Sequence, residues 1–400
     1  MKKLIVLSSP DGKKRCENFV NKIIASIKLE DKGGDYVSDI NELKHTLSML
    51  KNTDILIAVI GTGGTRKIAS IIPTFCDKIK IPVVFVSYPE NNSLAAMLDI
   101  LWDFRQVKYP CLGVLWGQED VNDALLVCDA YVNLRKGLVM MHSNENKTVV
   151  IELAKKLFSI PIYEIPVSAL VATFYRNENS DTQVVPVFVS DKTTRKNIAK
   201  IYHSIIEILQ EHNASAISID CFEFAKYVKH TPCIAFSLLN AAGYTAACEA
   251  DILSTILMSI VRTLSGTSGF VANVGNVLPD RNKVLLTHCT ISRDLVRNIE
   301  PMPHFETGLP LALKGEFNGD LVTITRFAPD FSKLRVLKGS VAQGEWSPNM
   351  CRTQIWVDVP KCKIILDSPL GNHYVVAKGD ISNKLVAFSK LLNIPVETNF

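Results

Sequence analysis

The chain has 400 residues, of which 47% are hydrophobic and 21% are charged, so it can bury substantial cores and should divide into two or three domains. Its formal net charge is only +4 and its basic residues are spread along the chain, a pattern that argues against nucleic acid as a partner. No uncharged apolar run approaches the roughly 18 residues of a membrane span, so we expect a cytoplasmic protein with no membrane partner.

The amino-terminal third alternates short apolar runs with polar or amphipathic segments. The opening "MKKLIVLSSPDGKKR" is basic and then apolar, but its apolar part is shorter than the roughly 7–15 residues of a signal peptide, so it predicts the first strand. The apolar runs are "KLIVLSS", "DILIAVIG", "PVVFVSY" and "CLGVLWG". This rhythm predicts an α/β domain over residues 1–140, with a parallel sheet and crossover helices.

Two segments of this domain raise the question of ligand binding. The loop "GTGGTRK", Gly61 to Lys67, follows an apolar strand and opens a helix, where backbone amides can hold an anion. Arg66 occupies the third glycine position of a dinucleotide fingerprint, which disfavours NAD. A tight turn without a ligand and a loop that holds the polar end of a substrate both remain open. For Asn92 and Ser93, helix capping explains the sequence more readily than ligand contact.

A second series of apolar runs predicts another open α/β domain over residues 141–305. Its predicted strands are "GLVMM", "IPIYEIP", "VVPVFVS", "ASAISID" and "CIAFSLL". A long helix among them carries an apolar stripe formed by Ile198, Ile201, Ile205, Ile208 and Leu209.

The pattern of apolar runs changes after residue 305. The runs "LVTITRF", "LRVLKGSV", "TQIWVDV" and "CKIILDS" read as strands separated by turn residues, followed by a final helix capped by Asp380. Residues 306–400 are therefore predicted to form an antiparallel β domain. The predicted fold class is α/β, with two open, Rossmann-like parallel-sheet domains followed by a C-terminal antiparallel β-barrel-like domain.

The segment "YTAACEADILSTI" contains the strongest candidate for chemistry. If a helix starts at Glu249, then Leu253, Ile256 and Ile260 share its face, whereas Asp251 lies on the far side. Asp251 is then predicted to face solvent, as a favourable charge at a helix start. A carboxylate at the head of a buried stripe is costly unless it is paired or metal-bound, so Glu249 is predicted to have a function.

Two histidines are further candidates. His288 ends a buried-looking strand in "VLLTHCTI", and His373 lies in a Gly-Asn turn before an apolar strand. A lone histidine is more often a satisfied core residue than a ligand, but two imidazoles and the Glu249 carboxylate suit a borderline divalent ion. The ten cysteines include no C-x-x-C pair, which predicts reduced, mostly buried thiols, and Cys248 beside Glu249 is disfavoured as a nucleophile.

Four blocks in this order resemble the L-fucose isomerase and L-arabinose isomerase superfamily. They are "TPCIAFSLLNAAGYTAACEADILSTILMSIVRTLSGTSGFVANVG", "LLTHCTI", "GDLVTITRF" and "GNHYVVAKGDISNKLVAFSKLLNIPV". The resemblance implies a bound divalent cation, usually manganese, that holds O1 and O2 of an open-chain sugar while two carboxylates move a proton between C1 and C2. It also implies a homo-oligomer, trimeric or hexameric, that acts on a small-molecule sugar.

Carried over residue by residue, the resemblance makes Glu249 the first catalytic and metal-binding carboxylate. His373 matches the carboxy-terminal metal histidine, and His288 resembles the additional histidine of the arabinose branch. The second carboxylate falls at Asn273, whose amide oxygen can ligate a cation but cannot accept a proton near neutral pH.

The sequence thus predicts a metal-dependent aldose–ketose isomerase, with Glu249 and Asn273 at the catalytic positions and both histidines as further metal ligands. Two alternatives stay open. The first alternative is a sugar-binding or regulatory relative without turnover, which the amide at position 273 favours. A third reading is enolisation of a sugar acid or sugar phosphate, which an anion contact from Arg66 or Lys67 would favour.

Overall fold

A computed structural model of the chain describes residues 1–29, 33–50, 53–76, 80–142 and 148–400. The chain forms two compact units, the first made of residues 1–132 and 384–395 and the second of residues 133–383 and 396–400. Within the described ranges, no helix combines the length and the apolar character needed to cross a bilayer.

The first unit contains a parallel sheet of five strands in the order β2-β1-β3-β4-β5. Its elements are β1 (Lys2–Leu7), α1 (Lys13–Ser26), β2 (Gly34–Val37), α2 (Ile40–Ser48), β3 (Ile55–Ile60), α3 (Arg66–Ala69), α4 (Ile72–Cys76), β4 (Val83–Ser87), α5 (Ser93–Gln106), β5 (Cys111–Leu115) and α6 (Val121–Asn133). All six residues of β3 are buried, as expected for a strand covered on both faces. The predicted parallel sheet is confirmed, and β2 is a strand that the sequence analysis did not foresee.

Arg66, in the loop from Gly61 to Lys67, has a partner inside its own unit. Its guanidinium donates two hydrogen bonds to the carboxylate of Asp103 on α5, at 2.7 and 2.6 Å. The Gly63 amide donates to the Asn91 carbonyl at 2.8 Å, which ties this loop to the start of the same helix. These contacts explain the loop as a packed turn, and they leave Arg66 already paired with an anion.

The second unit begins with a parallel sheet of four strands in the order β7-β6-β8-β9. Its elements are β6 (Leu138–Met141), α7 (Thr148–Phe158), β7 (Ile162–Ile165), α8 (Val167–Arg176), α9 (Lys192–Glu211), β8 (Ala216–Ile219), α10 (Cys221–Val228), α11 (Cys233–Ala241), β9 (Thr245–Cys248) and α12 (Ile252–Ser265). Helix α9 buries the predicted isoleucine and leucine stripe, which confirms that helix and its orientation.

Two of the predicted strands in this region are wrong. The run "CIAFSLL" lies in helix α11, which is apolar nearly all round and buried, and an apolar run of this length does not distinguish a strand from a buried helix. The run "VVPVFVS", residues 184–190, forms no strand: its first residue ends the short 3₁₀ turn Thr182–Val184, and it contains Pro186, which disfavours a central strand.

A closed antiparallel barrel of six strands completes the second unit. The remaining elements of the chain are β10 (Gly269–Leu278), β11 (Lys283–His288), β12 (Val296–Met302), β13 (Ala312–Phe317), β14 (Leu321–Phe327), β15 (Leu334–Ala342), β16 (Thr353–Asp358), α13 (Ile364–Asp367), β17 (His373–Lys378), α14 (Ser382–Leu391) and β18 (Val396–Thr398). Most of α14 belongs to the first unit. The barrel order is β14-β17-β10-β11-β16-β15, and the pairing of β14 with β15 closes it. Parallel α/β sheets followed by a closed antiparallel barrel confirm the predicted fold class.

The barrel differs from its prediction in two details. Strands β10 and β11 precede residue 305, so the barrel takes two strands from the stretch assigned to the central domain, and the three-domain division itself stays a prediction. The run "CKIILDS" is wrong as a strand, because it forms the single helical turn α13. Asp380 does support the last helix, since its carboxylate accepts from the Ser382 amide at 3.0 Å.

Candidate metal and catalytic site

Glu249 lies in a strained turn between strand β9 and helix α12. The strand ends at Cys248 and the helix starts at Ile252, so Glu249 precedes the helix. Glu249 and Ala250 both adopt the left-handed backbone conformation, with φ of +63° and +48°. That conformation costs an L-residue about 1–2 kcal/mol and is concentrated at functional sites. The turn also lies at the carboxyl end of a parallel strand, where open α/β sheets bind ligands.

The barrel supplies the two histidines. His288 is the last residue of β11 and His373 is the first residue of β17, and both strands pair with β10. Asn273 of β10 is the register partner of both Thr287 and His373. The antiparallel pairing therefore brings together two histidines that are 85 residues apart in the sequence (373 minus 288) at one end of the barrel.

The Glu249 carboxylate lies between the two imidazoles. Its Oε1 is 3.7 Å from Nε2 of His288, and its Oε2 is 3.7 Å from Nε2 of His373. One ligand atom from each residue lies within 4.8 Å of the others. Among the described residues, neither Nε2 atom has a hydrogen-bond partner although both are buried. Two unpartnered imidazole nitrogens beside a carboxylate fit a divalent cation with open positions.

Asp251 belongs to this site, so the prediction that it faces solvent is wrong. Its side chain is only 16% exposed, and its Oδ2 lies 2.9 Å from Nδ1 of His373. Its carboxylate also caps α12, accepting from the Ser254 amide at 3.1 Å and from the Ser254 hydroxyl at 2.6 Å. The projection failed because it assumed helical geometry from residue 249, whereas the helix starts three residues later.

The contact with Asp251 determines the state of His373. Burial alone would raise the pKa of Asp251, but the hydrogen bond from His373 and the charge that this ring carries when protonated, together with the Ser254 bonds, hold it well below its usual range. The ionised carboxylate accepts a hydrogen bond from Nδ1–H of His373, which in the neutral imidazole leaves the lone pair of Nε2 facing Glu249. A carboxylate behind a histidine is the usual support of a metal-ligating imidazole.

His288 has a different second contact. Its Nδ1 accepts from the backbone amide of Thr290 at 3.3 Å, so in its neutral form the proton resides on Nε2, which faces Glu249. To ligate a cation through Nε2, this ring must change tautomer and give up the Thr290 bond. The hydrogen bonds therefore hold His373 in the tautomer that can bind a cation through Nε2, whereas His288 must first change its tautomer.

The surroundings of Glu249 keep its carboxylate ionised. Burial raises its pKa, but the contact with His288 and the positive charges that His373 and His288 carry when protonated outweigh burial and leave the pKa below its usual value. A deprotonated carboxylate at neutral pH is the form that a general base requires.

Asn273 is placed beside His373 on the neighbouring strand. Its amide oxygen accepts a hydrogen bond from the side chain of Asn372 at 2.8 Å. An amide in this position adds neither charge nor a proton acceptor to the site.

Glu249 and His288 line a small cavity with a volume of about 10 Å³. The other side chains that shape it include Phe222, Cys289 and His304. All ten cysteines are free thiols and eight of them are buried, as predicted. The contact with the Cys221 thiol and burial raise the pKa of Cys248 well above its usual value, which argues against Cys248 as a nucleophile.

Comparison with known proteins points to sugar isomerases at a distance. No family model matches the chain. The chain is 23% identical over 231 residues to a sulfoquinovose isomerase of Alkalicoccus urumqiensis, covering 55% of this chain and 52% of that protein. Sulfoquinovose isomerases of Priestia aryabhattai and Priestia megaterium are 23% identical over 233 residues, covering 54% of this chain and 51% of theirs. The chain thus spans about half the length of the curated relatives it matches.

Proposed function

We propose that this protein is a metal-dependent aldose–ketose isomerase of the L-fucose and L-arabinose isomerase type, acting on a small-molecule sugar. The observation that carries the proposal is the Glu249 carboxylate between two buried imidazole nitrogens that lack hydrogen-bond partners among the described residues. The distant similarity to sulfoquinovose isomerases supports a sugar isomerase-like activity. Manganese and a homo-oligomeric assembly are the cofactor and state that the sequence resemblance suggests.

Glu249, His373 and His288 would hold the cation, with Asn273 as a further oxygen ligand. A bound divalent cation polarises a substrate carbonyl and stabilises negative charge on its oxygen. Asp251 orients His373 and fixes its tautomer, so the imidazole needs no rearrangement when it binds the ion.

Glu249 is the base in this proposal. For an aldose, its carboxylate takes the proton from C2, the C2–H electron pair forms the C1–C2 double bond, and O1 gains negative charge. The proton of the C2 hydroxyl moves to O1, the C2 carbonyl forms, and Glu249 returns its proton to C1. One carboxylate on one face of a cis-enediol can serve both transfers, so the reaction does not require a second one.

Asn273 favours a second candidate, a sugar-binding or regulatory protein without turnover. An amide cannot accept a proton near neutral pH, and this one already accepts a hydrogen bond from Asn372. Losing one of two acid/base groups costs roughly 10²–10⁴ in rate when nothing replaces it. The two candidates share the pocket and differ in whether a proton moves.

Solvent exchange separates them. The full chain is stripped of metal with a chelator, reloaded with Mn²⁺, and incubated in heavy water with five- and six-carbon aldoses and ketoses, including sulfoquinovose. Deuterium at C1 or C2 that depends on Mn²⁺ and disappears in Glu249→Gln supports the isomerase. Bound Mn²⁺ and saturable sugar binding without exchange across the panel would contradict the isomerase and support the second candidate.

A further inference from the structure

Two buried arginines hold the segment that leads to His373. Arg326 of β14 and Arg335 of β15 lie opposite each other on neighbouring, antiparallel strands of the barrel. Arg326 donates through Nε to the Leu370 carbonyl at 2.6 Å and through Nη1 to the His373 carbonyl. Arg335 donates to the Ser368 carbonyl and to the Tyr374 hydroxyl, the latter at 2.8 Å. The guanidinium groups thus hold the chain at both ends of the turn that positions His373.

The two arginines differ in how their charge is balanced. Arg335 pairs directly with Glu397, with Nε 2.6 Å from Oε2. Arg326 has no ion pair with a carboxylate among the residues that the structure describes. Burial lowers the pKa of Arg326, and the carboxylate that most opposes this fall is Asp251, the partner of His373.

The backbone is adapted to the guanidinium of Arg326. Gly371 has a φ of +117°, and a Cβ at this position would lie 2.8 Å from Cζ of Arg326. Only glycine fits such close packing in this conformation. An apolar residue at position 326 would continue the inward face of Val322 and Ile324 without the desolvation cost of a buried charge. Such a residue would leave the Leu370 and His373 carbonyls without these donors, so the guanidinium matters chiefly to the turn that positions His373.

We propose that Arg326 is a positioning residue for the candidate metal centre. Its hydrogen bonds to the Leu370 and His373 carbonyls fix the His373 backbone, so that Nε2 of His373 stays directed at Glu249. This inference rests on the proposed function, because it concerns how tightly the same site holds its cation.

Arg326→Met and Arg326→Lys test the inference in the full chain. Binding of Mn²⁺ is measured by calorimetry, the visible absorption bands of bound Co²⁺ report ligand geometry, and urea unfolding reports stability. We expect Arg326→Met to bind Mn²⁺ roughly 10- to 100-fold more weakly and to shift the Co²⁺ bands, with Arg326→Lys intermediate. Gly371→Ala should act in the same direction, because its Cβ displaces the guanidinium.

Arg262→Lys is the matched control. Arg262 is a half-buried arginine that also donates to a carbonyl, that of Asn240, and to the Ser268 hydroxyl, and neither of these partners belongs to the His373 segment. The Arg262→Lys variant should have a lower free energy of unfolding while its Mn²⁺ affinity stays within about twofold of the wild type. Equal affinities of wild type, Arg326→Met and Arg326→Lys would overturn the inference.

Different experimental results would contradict the inference and the proposed function. A wild-type chain that binds neither Mn²⁺ nor Co²⁺ contradicts the proposed function, whereas a wild type that binds and variants that bind equally well contradict only the role of Arg326. A double-mutant cycle with Asp251→Asn tests whether Arg326 and Asp251, which both contact His373, act on the same imidazole. We expect the double variant to lose less affinity than the product of the two single losses, and simple multiplication of those losses would refute the coupling.

Discussion

Nδ1 of His373 lies 2.9 Å from Oδ2 of Asp251, and the same carboxylate caps helix α12 through the Ser254 amide. One side chain thus joins the first turn of a helix to the first residue of a barrel strand. Because Asp251 follows Glu249 by only two residues, this contact also brings the carboxylate of Glu249 to the histidines. A helix cap that would ordinarily serve stability alone here also organises the candidate site.

Asp251→Asn should separate these two tasks. Asparagine is as good a helix cap as aspartate, but when its oxygen caps the helix, its amide nitrogen cannot accept the hydrogen bond from Nδ1–H of His373. We expect Mn²⁺ affinity to fall roughly 10- to 100-fold with little change in the free energy of unfolding. Asp251→Ala should lose the cap as well and cost about 1 kcal/mol in urea unfolding. A wild-type Mn²⁺ affinity in Asp251→Asn would show that His373 needs no such partner.

The two histidines should contribute unequally to metal binding. His373 already presents a lone pair to Glu249, whereas His288 must give up its bond from Thr290 to do so. We expect His373→Gln to weaken Mn²⁺ binding by at least roughly tenfold more than His288→Gln, measured by calorimetry on metal-free protein. The reverse order would mean that the Thr290 contact does not set the tautomer of His288.

The turn at Glu249 should show a conflict between stability and function. With φ of +63°, any residue with a Cβ is strained there, and glycine is not. Glu249→Gly should therefore be more stable than Glu249→Ala by about 1 kcal/mol in urea unfolding, although both lose the carboxylate and the exchange activity. Equal stabilities would show that the surrounding contacts absorb the strain.

Sequence patterns predicted the parallel sheets and the barrel because each of these rests on local apolar runs of strand length. They failed for "CIAFSLL", where the run is buried on all sides and carries no period. Domain limits were harder still, because strands β10 and β11 follow the central sheet in the sequence but pair with strands much later in the chain. Such pairings depend on long-range contacts that no local window contains.

At the candidate site, the sequence indicated Glu249 but misread its neighbour. A helical projection is valid only within a helix, and the left-handed turn at Glu249 placed Asp251 on the side of His373. The pattern Asp251-x-x-Ser254 before an apolar run was a signal for the cap. Arg326 was also missed, although a charged residue two positions after Ile324 on the buried face of a strand is itself a signal.

The barrel should carry an acid-sensitive pair in Arg335 and Glu397. Burial raises the pKa of Glu397, but the hydrogen bond and the charge of Arg335 outweigh it and hold the pKa below its usual value. The pair therefore adds stability above the unfolded-state pKa, and this stability is lost as the pH falls through the lower folded-state pKa. Glu397→Gln should lower the free energy of unfolding by about 2 kcal/mol at pH 7. Urea titrations should show this difference from wild type narrowing below pH of about 4, and a constant difference would contradict the assignment.

Asn273→Asp tests whether the scaffold is an isomerase that lacks only its second carboxylate. The side chain lies beside His373 on the adjacent strand, so an aspartate there adds a charge and a proton acceptor at the site. If the wild type exchanges slowly, we expect incorporation of solvent deuterium at C1 or C2 to rise by roughly 10²–10⁴-fold in the Mn²⁺-loaded variant. Asn276→Asp, which places the same charge at an exposed position of the same strand, should leave the rate at the wild-type level. If Asn273→Asp binds Mn²⁺ and sugar but exchanges no faster than this control, the amide is not what limits proton transfer, and the sugar-binding alternative gains support.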